Sequence, residues 1–175
     1  MLAEDLARAH RVACPSTRLA KALLVSRSLP KMKSIAVVLY RLSHAAGTAF
    51  PPAGAVLKQL NHFITGADIA FQAQFGPGLV LLHPTGIVVA TEVVAGARCN
   101  LGPGVTLGSG PPGGAPVLGD DVDIAASASV LGPRKLGDRV RVGANSVVTH
   151  DFDDDVVVAG VPARVLRATR PEELV

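Results

Sequence analysis

Hydrophobic residues follow two different rhythms along the chain, with the change near residue 66. Before it, apolar positions recur at helical spacing between recognisable start and stop signals. The segment "LAEDLARAHRVA", from Leu2, has acids in its first turn and Arg and His towards its end, matching a helix dipole. "STRLAKALLVSRSL" opens on a capping Ser16 or Thr17 and stops before Pro30, and "KSIAVVLYRLSHAAG" closes on Gly47, a suitable C-cap. "PPAGAVLKQLNHFITG" carries Pro at its head and Gly66 at its end, the usual punctuation of a helix. Four short helices are therefore expected, with apolar faces that must pack on each other or on another chain.

From Ile69 the rhythm becomes six. Written in sixes, the chain gives IAFQAQ and FGPGLV, then VATEVV, AGARCN, LGPGVT and LGSG. After a loop come LGDDVD, IAASAS, VLGPRK, LGDRVR and VGANSV. An aliphatic residue leads nearly every hexad, with Gly or Ala usually next and a small or β-branched residue often fifth. Neither a helix nor an alternating strand has that period. It fits a parallel β-helix wound as a triangular prism, one hexad per face, with the leading aliphatics stacked inside and Gly or Asn at the corners. The fold class expected is mainly β with an N-terminal α-helical subdomain: helices over 1–66, β-helix over 67–166 and a tail over 167–175.

Two breaks interrupt the repeat, and breaks are where function tends to sit. About two residues exceed the count at "LLHPTGIVV", around His83, and "GSGPPGGAP", Gly108 to Pro116, must leave the coil as a loop. Both are also compatible with simple insertions tolerated at corners.

Composition narrows the reading. With 49% hydrophobic and 18% charged residues, the 175-residue chain is not disordered and is long enough for a substantial core. Aromatics make up 3% with no tryptophan, so Val, Leu, Ile and Ala must build that core. The net charge of +3 rests mostly on arginines, suited to gripping phosphate oxygens. No dense basic run or base-stacking surface points to nucleic acid. Cys14 and Cys99 suggest neither a disulfide framework nor a metal cluster. The first residues do not read as a signal peptide and no apolar run could span a bilayer, so no membrane span and a cytoplasmic location are expected.

The stretches "ADIAFQAQFGPGLVLLHPTGIVVATEVV", "VTLGSG", "PVLGDDVDIAASASVLG", "RVRVGANSVVTHD" and "VAGVPARVL" resemble the left-handed β-helix acyltransferases, within them the serine acetyltransferase-like group. "LYRLSH" in the helical part is similar to its short members. The likeness runs from about Ile35 to Leu166. It implies a left-handed coil, acetyl-CoA as co-substrate without a metal, and a homotrimer or dimer of trimers with active sites in the clefts between prisms. It also implies that His83 is the general base and that Asp68, fifteen residues earlier, pairs with it. Asp68 could equally cap the turn after Gly66. Ser109, Gly110, Ala126 and Ala144 are the small residues implied to line the pantetheine arm, with a backbone N–H near Gly108 to Gly110 facing the oxyanion. Arg141, Arg164 and Arg167 are candidates for the CoA phosphates.

At the acceptor pocket the chain departs from the resemblance. The family carries an acid directly before the histidine, where this chain has Leu82, and an Arg-His pair where it has Gly114 and Ala115. The loop and the helical part are also shorter, which puts the family's hexamer and feedback control in doubt. Those groups would hold an amino acid's ammonium and carboxylate, so their loss favours another hydroxyl acceptor, such as a sugar or biosynthetic intermediate. Serine O-acetylation is the alternative, and a non-catalytic scaffold a second. A γ-class carbonic anhydrase would need three histidines at a metal, and after His83 the coil holds only His150.

Overall fold

The computed structural model describes residues 1–17, 20, 21, 24 and 31–173. Among them lie α1 (Leu2–Ala9), α2 (Met32–Ala49) and α3 (Pro51–Thr65), followed by fifteen short strands and a closing 3-10 turn, Pro171–Glu173. The helix expected over Ser16 to Leu29 falls mostly outside the described residues. α1 ends earlier than its pattern suggested, because Arg11 turns into the left-handed region at φ 54°. α3 begins on prolines and ends on Gly66 at φ 76°, as its punctuation predicts.

Gly47 does not cap α2, which runs past it to Ala49. A Cβ on Gly47 would stand 2.2 Å from Phe71 Cδ2, and one on Gly54 of α3 would stand 2.5 Å from the Gly47 Cα. The glycine permits close packing of two antiparallel helices and the first coil; it does not reverse the chain.

The strands form three parallel faces of one solenoid. The first face stacks Asp68–Ile69, Val88–Val89, Thr106–Gly108, Ser129–Leu131 and Val147–Val148. The second stacks Gln74–Phe75, Val94–Ala95, Val117–Leu118 and Lys135–Leu136, and the third Val80–Leu81, Asn100–Leu101, Asp123–Ile124, Arg141–Val142 and Val156–Gly160. In each two-residue strand the second side chain points inward, so Ile69, Val89, Leu107, Val130 and Val148 form one buried column. Ala73, Val93, Val105, Val122 and Val140, at the small fifth place of the hexad, fill the corners and are fully buried. Leading aliphatic, small fifth residue and six-residue period thus all follow from one packing requirement.

The register records both breaks. Asp68 pairs with Val88, twenty residues on, and Val88 with Thr106, eighteen on, so two extra residues lie in the corner holding His83. Asn100 pairs with Asp123, twenty-three on, and the five extra residues are the Gly108–Pro116 loop. The last strand, Ala163–Ala168, turns back antiparallel on Val156–Gly160 and ends the stack.

One corner is built from charge. Arg98, Asp121, Arg139 and Asp155 occupy successive coils at φ values of 57–60°, a region costly for side chains other than glycine. Arg98 grips Asp121 with two bonds of 2.7 Å, and Arg139 grips Asp155 at 2.6 and 2.8 Å. Beside them the Asp120, Asp138 and Asp154 carboxylates each accept a backbone N–H from the coil above at 2.8 Å. These bonds offset the strained backbone and fix the coil spacing.

The open N-terminal end of the solenoid is closed by the helices through a buried ion pair. Arg41 donates to Asp5 at 2.8 and 3.2 Å and to the Phe75 and Gly76 carbonyls at 2.7 and 2.6 Å. Asp5 also accepts the Gly78 and Leu79 N–H groups at 2.6 and 2.9 Å, so both charges are fully bonded, which burial demands. Tyr40, wholly buried, donates to the Ala73 carbonyl at 2.7 Å, and burial pushes its hydroxyl up to about 12. The outer side of α3 has no such cover: Val56 is 68% exposed and Phe63 86%, around a shallow apolar groove.

Candidate active site

His83 and Leu82 stand exposed on the two-residue bulge between the third and first faces, between buried Leu81 and buried Pro84. The bulge is tied to the end of α3: Gly86 N–H donates to the Gly66 carbonyl at 3.0 Å, and Asp68 N–H to Ile87 at 2.8 Å. Asp68 therefore leaves the coil beside the His83 corner. Its carboxylate forms an ion pair with Lys58 of α3, both groups being partly exposed, and does not cap the turn after Gly66. Among the described residues no hydrogen bond joins Asp68 to His83. The sequence did not single out Lys58, since one lysine within a helix carries no signal of its partner two elements away.

Along the same prism edge runs a ladder of small groups. Gly104 N–H donates to Thr85 at 3.1 Å, Ser127 N–H to Pro103 at 2.8 Å and Asn145 N–H to Ala126 at 2.9 Å. Gly86, Gly104, Ser127 and Asn145 all lie at positive φ, and Ala126 and Ala144 directly precede the last two. With parallel coils stacked about 4.8 Å apart, Thr85 to Ala144 spans roughly 14 Å. His83, Ala126 and Ala144 thus share one narrow edge lined by backbone.

Ser109, Gly110 and Ala115 do not. They belong to the loop at the opposite edge of the first face, where Gly110 N–H donates to the Gly114 carbonyl at 3.2 Å. Ser109 is exposed and Ala115 buried against the loop base. One chain therefore carries the two halves of the expected site on different edges.

The candidate phosphate ligands lie on or beside the third face, each in contact with protein. Arg141 donates to Asp123 at 2.8 Å and to the Glu173 carbonyl, beside a groove of about 320 Å³. Arg167 grips the Glu173 carboxylate, which that arginine holds down at about 2. Arg164, exposed on the closing strand, donates to its neighbour's carbonyl at 3.0 Å. The hexad pattern gave no sign that the C-terminal segment folds back onto these side chains, because that segment lies beyond the repeat. Among the described residues no three His, Cys, Asp or Glu side chains gather to hold a metal, and no helix is long and apolar enough to cross a membrane.

No family model matches the chain. Comparison with individual proteins is more informative. Over 139 residues it is 37% identical to the serine acetyltransferase of Helicobacter pylori (strain J99), covering 77% of this chain and 81% of that one. It is 36% identical over 135 residues to that of Synechococcus elongatus and 40% identical over 116 residues to that of Mycobacterium tuberculosis. These matches cover 75% and 65% of this chain but only 55% and 51% of the relatives, so it spans about half their length. Among solved structures, Neisseria gonorrhoeae serine acetyltransferase superposes with a TM-score of 0.83 at 30% identity, over 97% of this chain and 64% of that one. A serine acetyltransferase in complex with CoA superposes at 0.80 with 29% identity, over 94% and 68%. With the hexad coil, its histidine bulge and this coverage together, the chain belongs to the serine acetyltransferase family of left-handed β-helix, hexapeptide-repeat acyltransferases.

Proposed function

We propose that this protein is an acetyl-CoA-dependent O-acetyltransferase in which His83 is the general base. The observation that carries the reading is the exposed histidine on a two-residue bulge of an otherwise regular coil, in a chain sharing 37% identity with a serine acetyltransferase. A neutral imidazole ring nitrogen takes the acceptor's hydroxyl proton as the oxygen attacks the thioester carbonyl. The C–O bond forms, the tetrahedral oxyanion collapses, the C–S bond breaks, and the imidazolium returns the proton to the CoA thiolate. The small residues along the edge from Thr85 to Ala144 let a pantetheine arm lie close to the coil, which places the thioester beside the base.

Asp68 is proposed as the partner that orients His83 and stabilises its imidazolium. A half-exposed Lys58–Asp68 pair contributes at most about 1 kcal/mol, so the carboxylate can exchange lysine for imidazolium at little cost. Ser109, Gly110 and the backbone near them complete the site from the far edge of the first face. That separation supports a homotrimer in which one copy's loop meets its neighbour's bulge. Arg141, Arg164 and Arg167 are proposed for the CoA phosphates, the first and last after release of Glu173.

Serine is the acceptor that the relatives support best. The second reading, a sugar or biosynthetic intermediate, rests on Leu82, 46% exposed beside His83 where an ammonium would want an acid, and on apolar Ala115 in the loop. The test is thiol release from acetyl-CoA with serine and a panel of other alcohols, by wild type and His83→Ala. Serine-dependent release that the substitution abolishes supports the reading. An acceptor-dependent rate unchanged within about twofold removes His83 from its role, and release with the other alcohols alone selects the second acceptor class.

A further inference from the structure

At the corner that leads into the second face, one residue per coil fills the small inward position ahead of the strand. The register Gln74, Val94, Val117, Lys135 places Ala73, Val93, Pro116 and Arg134 there. Ala73 and Val93 are fully buried and Pro116 is buried; the fourth coil alone of these puts an arginine at the site. Its guanidinium cannot enter the prism and folds back over Gly132. A Cβ on Gly132 would lie 3.7 Å from Arg134 Nη2, 3.8 Å from Nε and 3.4 Å from the Pro111 carbonyl of the loop. The guanidinium therefore packs within ordinary van der Waals contact distance of the Gly132 backbone position, beside the Pro111 carbonyl of the Gly108–Pro116 loop. A Cβ on Gly114 would likewise lie 3.2 Å from Pro133 Cβ, which brings the loop's tip against the same corner.

Arg134 differs from the other arginines of the coil in its bonding. Arg98, Arg139, Arg141 and Arg167 each hold a carboxylate, and Arg164 a backbone carbonyl. Among the described residues the Arg134 side chain forms no ion pair and no hydrogen bond; its Nε is buried without a partner, as is that of Arg141, but the Arg141 Nη1 and Nη2 are bonded and those of Arg134 are not. A buried donor left unbonded beside a functional loop calls for a ligand. A planar guanidinium with free donors matches a carboxylate bidentately. We infer that Arg134 anchors the carboxylate of the acceptor, making this a site for a hydroxyl acid such as serine. The inference rests on the proposed acetyl transfer to serine and supplies the cation that Gly114 and Ala115 lack. It also implies that the carboxylate is held by the coil beside the loop and not by the loop itself.

The experiment is steady-state kinetics of wild type, Arg134→Met and Arg134→Lys with serine, serinamide and acetyl-CoA, alongside thermal melting. Arg134→Met is expected to raise the KM for serine about tenfold or more, leave kcat within about threefold and leave the KM for acetyl-CoA unchanged. Wild type should prefer serine to serinamide; Arg134→Met should lose that preference and Arg134→Lys recover part of it. Its melting temperature should hold or rise, because an apolar side chain suits a corner that elsewhere carries Ala, Val or Pro. An unchanged serine KM overturns the inference, whether or not the melting temperature falls. A rise confined to the KM for acetyl-CoA also overturns it, by making a CoA phosphate the anion held. If wild type ignores serine, the serine reading falls first. Arg134 is then judged with whichever hydroxy acid is acetylated, and falls too if every accepted alcohol lacks a carboxylate.

Discussion

Two edges of the same prism use polar residues in opposite ways. At the Arg98–Asp121–Arg139–Asp155 corner every charge is matched by the next coil and the backbone repeats without a break. At the edges carrying His83 and the Gly108–Pro116 loop the count fails by two and by five residues, and the side chains there face solvent or lack partners. A solenoid adds one coil at a time, so a matched corner stabilises its neighbours and little else. Groups left unmatched by the repeat are the ones available to a substrate.

Removing a group from the broken edge should cost activity and spare the fold, while removing one from the matched framework should do the reverse. His83→Ala should lower kcat about 10²–10⁴-fold with the melting temperature unchanged, measured by thiol release and thermal scanning. Arg41→Met should destabilise by about 3–5 kcal/mol, because it leaves Asp5 buried without its counter-ion. Urea titration checks that value, and activity per folded molecule should stay near that of wild type. Asp68→Asn should lower kcat less than His83→Ala and shift its acidic pH limb, while changing stability by under about 1 kcal/mol since Lys58 loses only a half-exposed pair. A loss of stability with an unaltered pH profile would make Asp68 part of the framework.

The smallest effect should come from the charged corner. Arg98 holds the Asp121 carboxyl, and Arg139 the Asp155 carboxyl, below the ordinary aspartate range through direct hydrogen bonds. A carboxylate depressed in the folded state stabilises above its unfolded value near 3.8 and loses that contribution as pH falls through the lower folded value. Arg98→Gln should therefore cost a small amount of stability at neutral pH, and its difference from wild type should vanish as pH falls through the lowered folded value of Asp121. Circular dichroism against pH reads this, and an equal loss at neutral and acidic pH would argue against the pairing.

Much of this was legible in one dimension. The six-residue period fixes which side chains stack, because each face is two residues of strand plus a corner. The same count exposed the His83 bulge and the loop as departures. Pro51 and Gly66 announced α3, but Gly47 misled: a glycine at a helix end and a glycine at a helix crossing look alike in sequence. Nothing local marked Asp5 and Arg41 as partners, or Lys58 and Asp68, since each pair joins elements whose meeting depends on how the helices cap the coil.

By itself, then, the sequence determined the repeat, the inward column, the two breaks and a histidine at one of them, all properties set by neighbours in the chain. Only the tertiary structure decided that His83, Ala126 and Ala144 share an edge while Ser109, Gly110 and Ala115 lie across the face. It alone showed Glu173 folded onto Arg141 and Arg167, and Arg134 left without a counter-charge beside the loop. Which edge a residue occupies, and what charge faces it there, depends on coils some eighteen to twenty-three residues away.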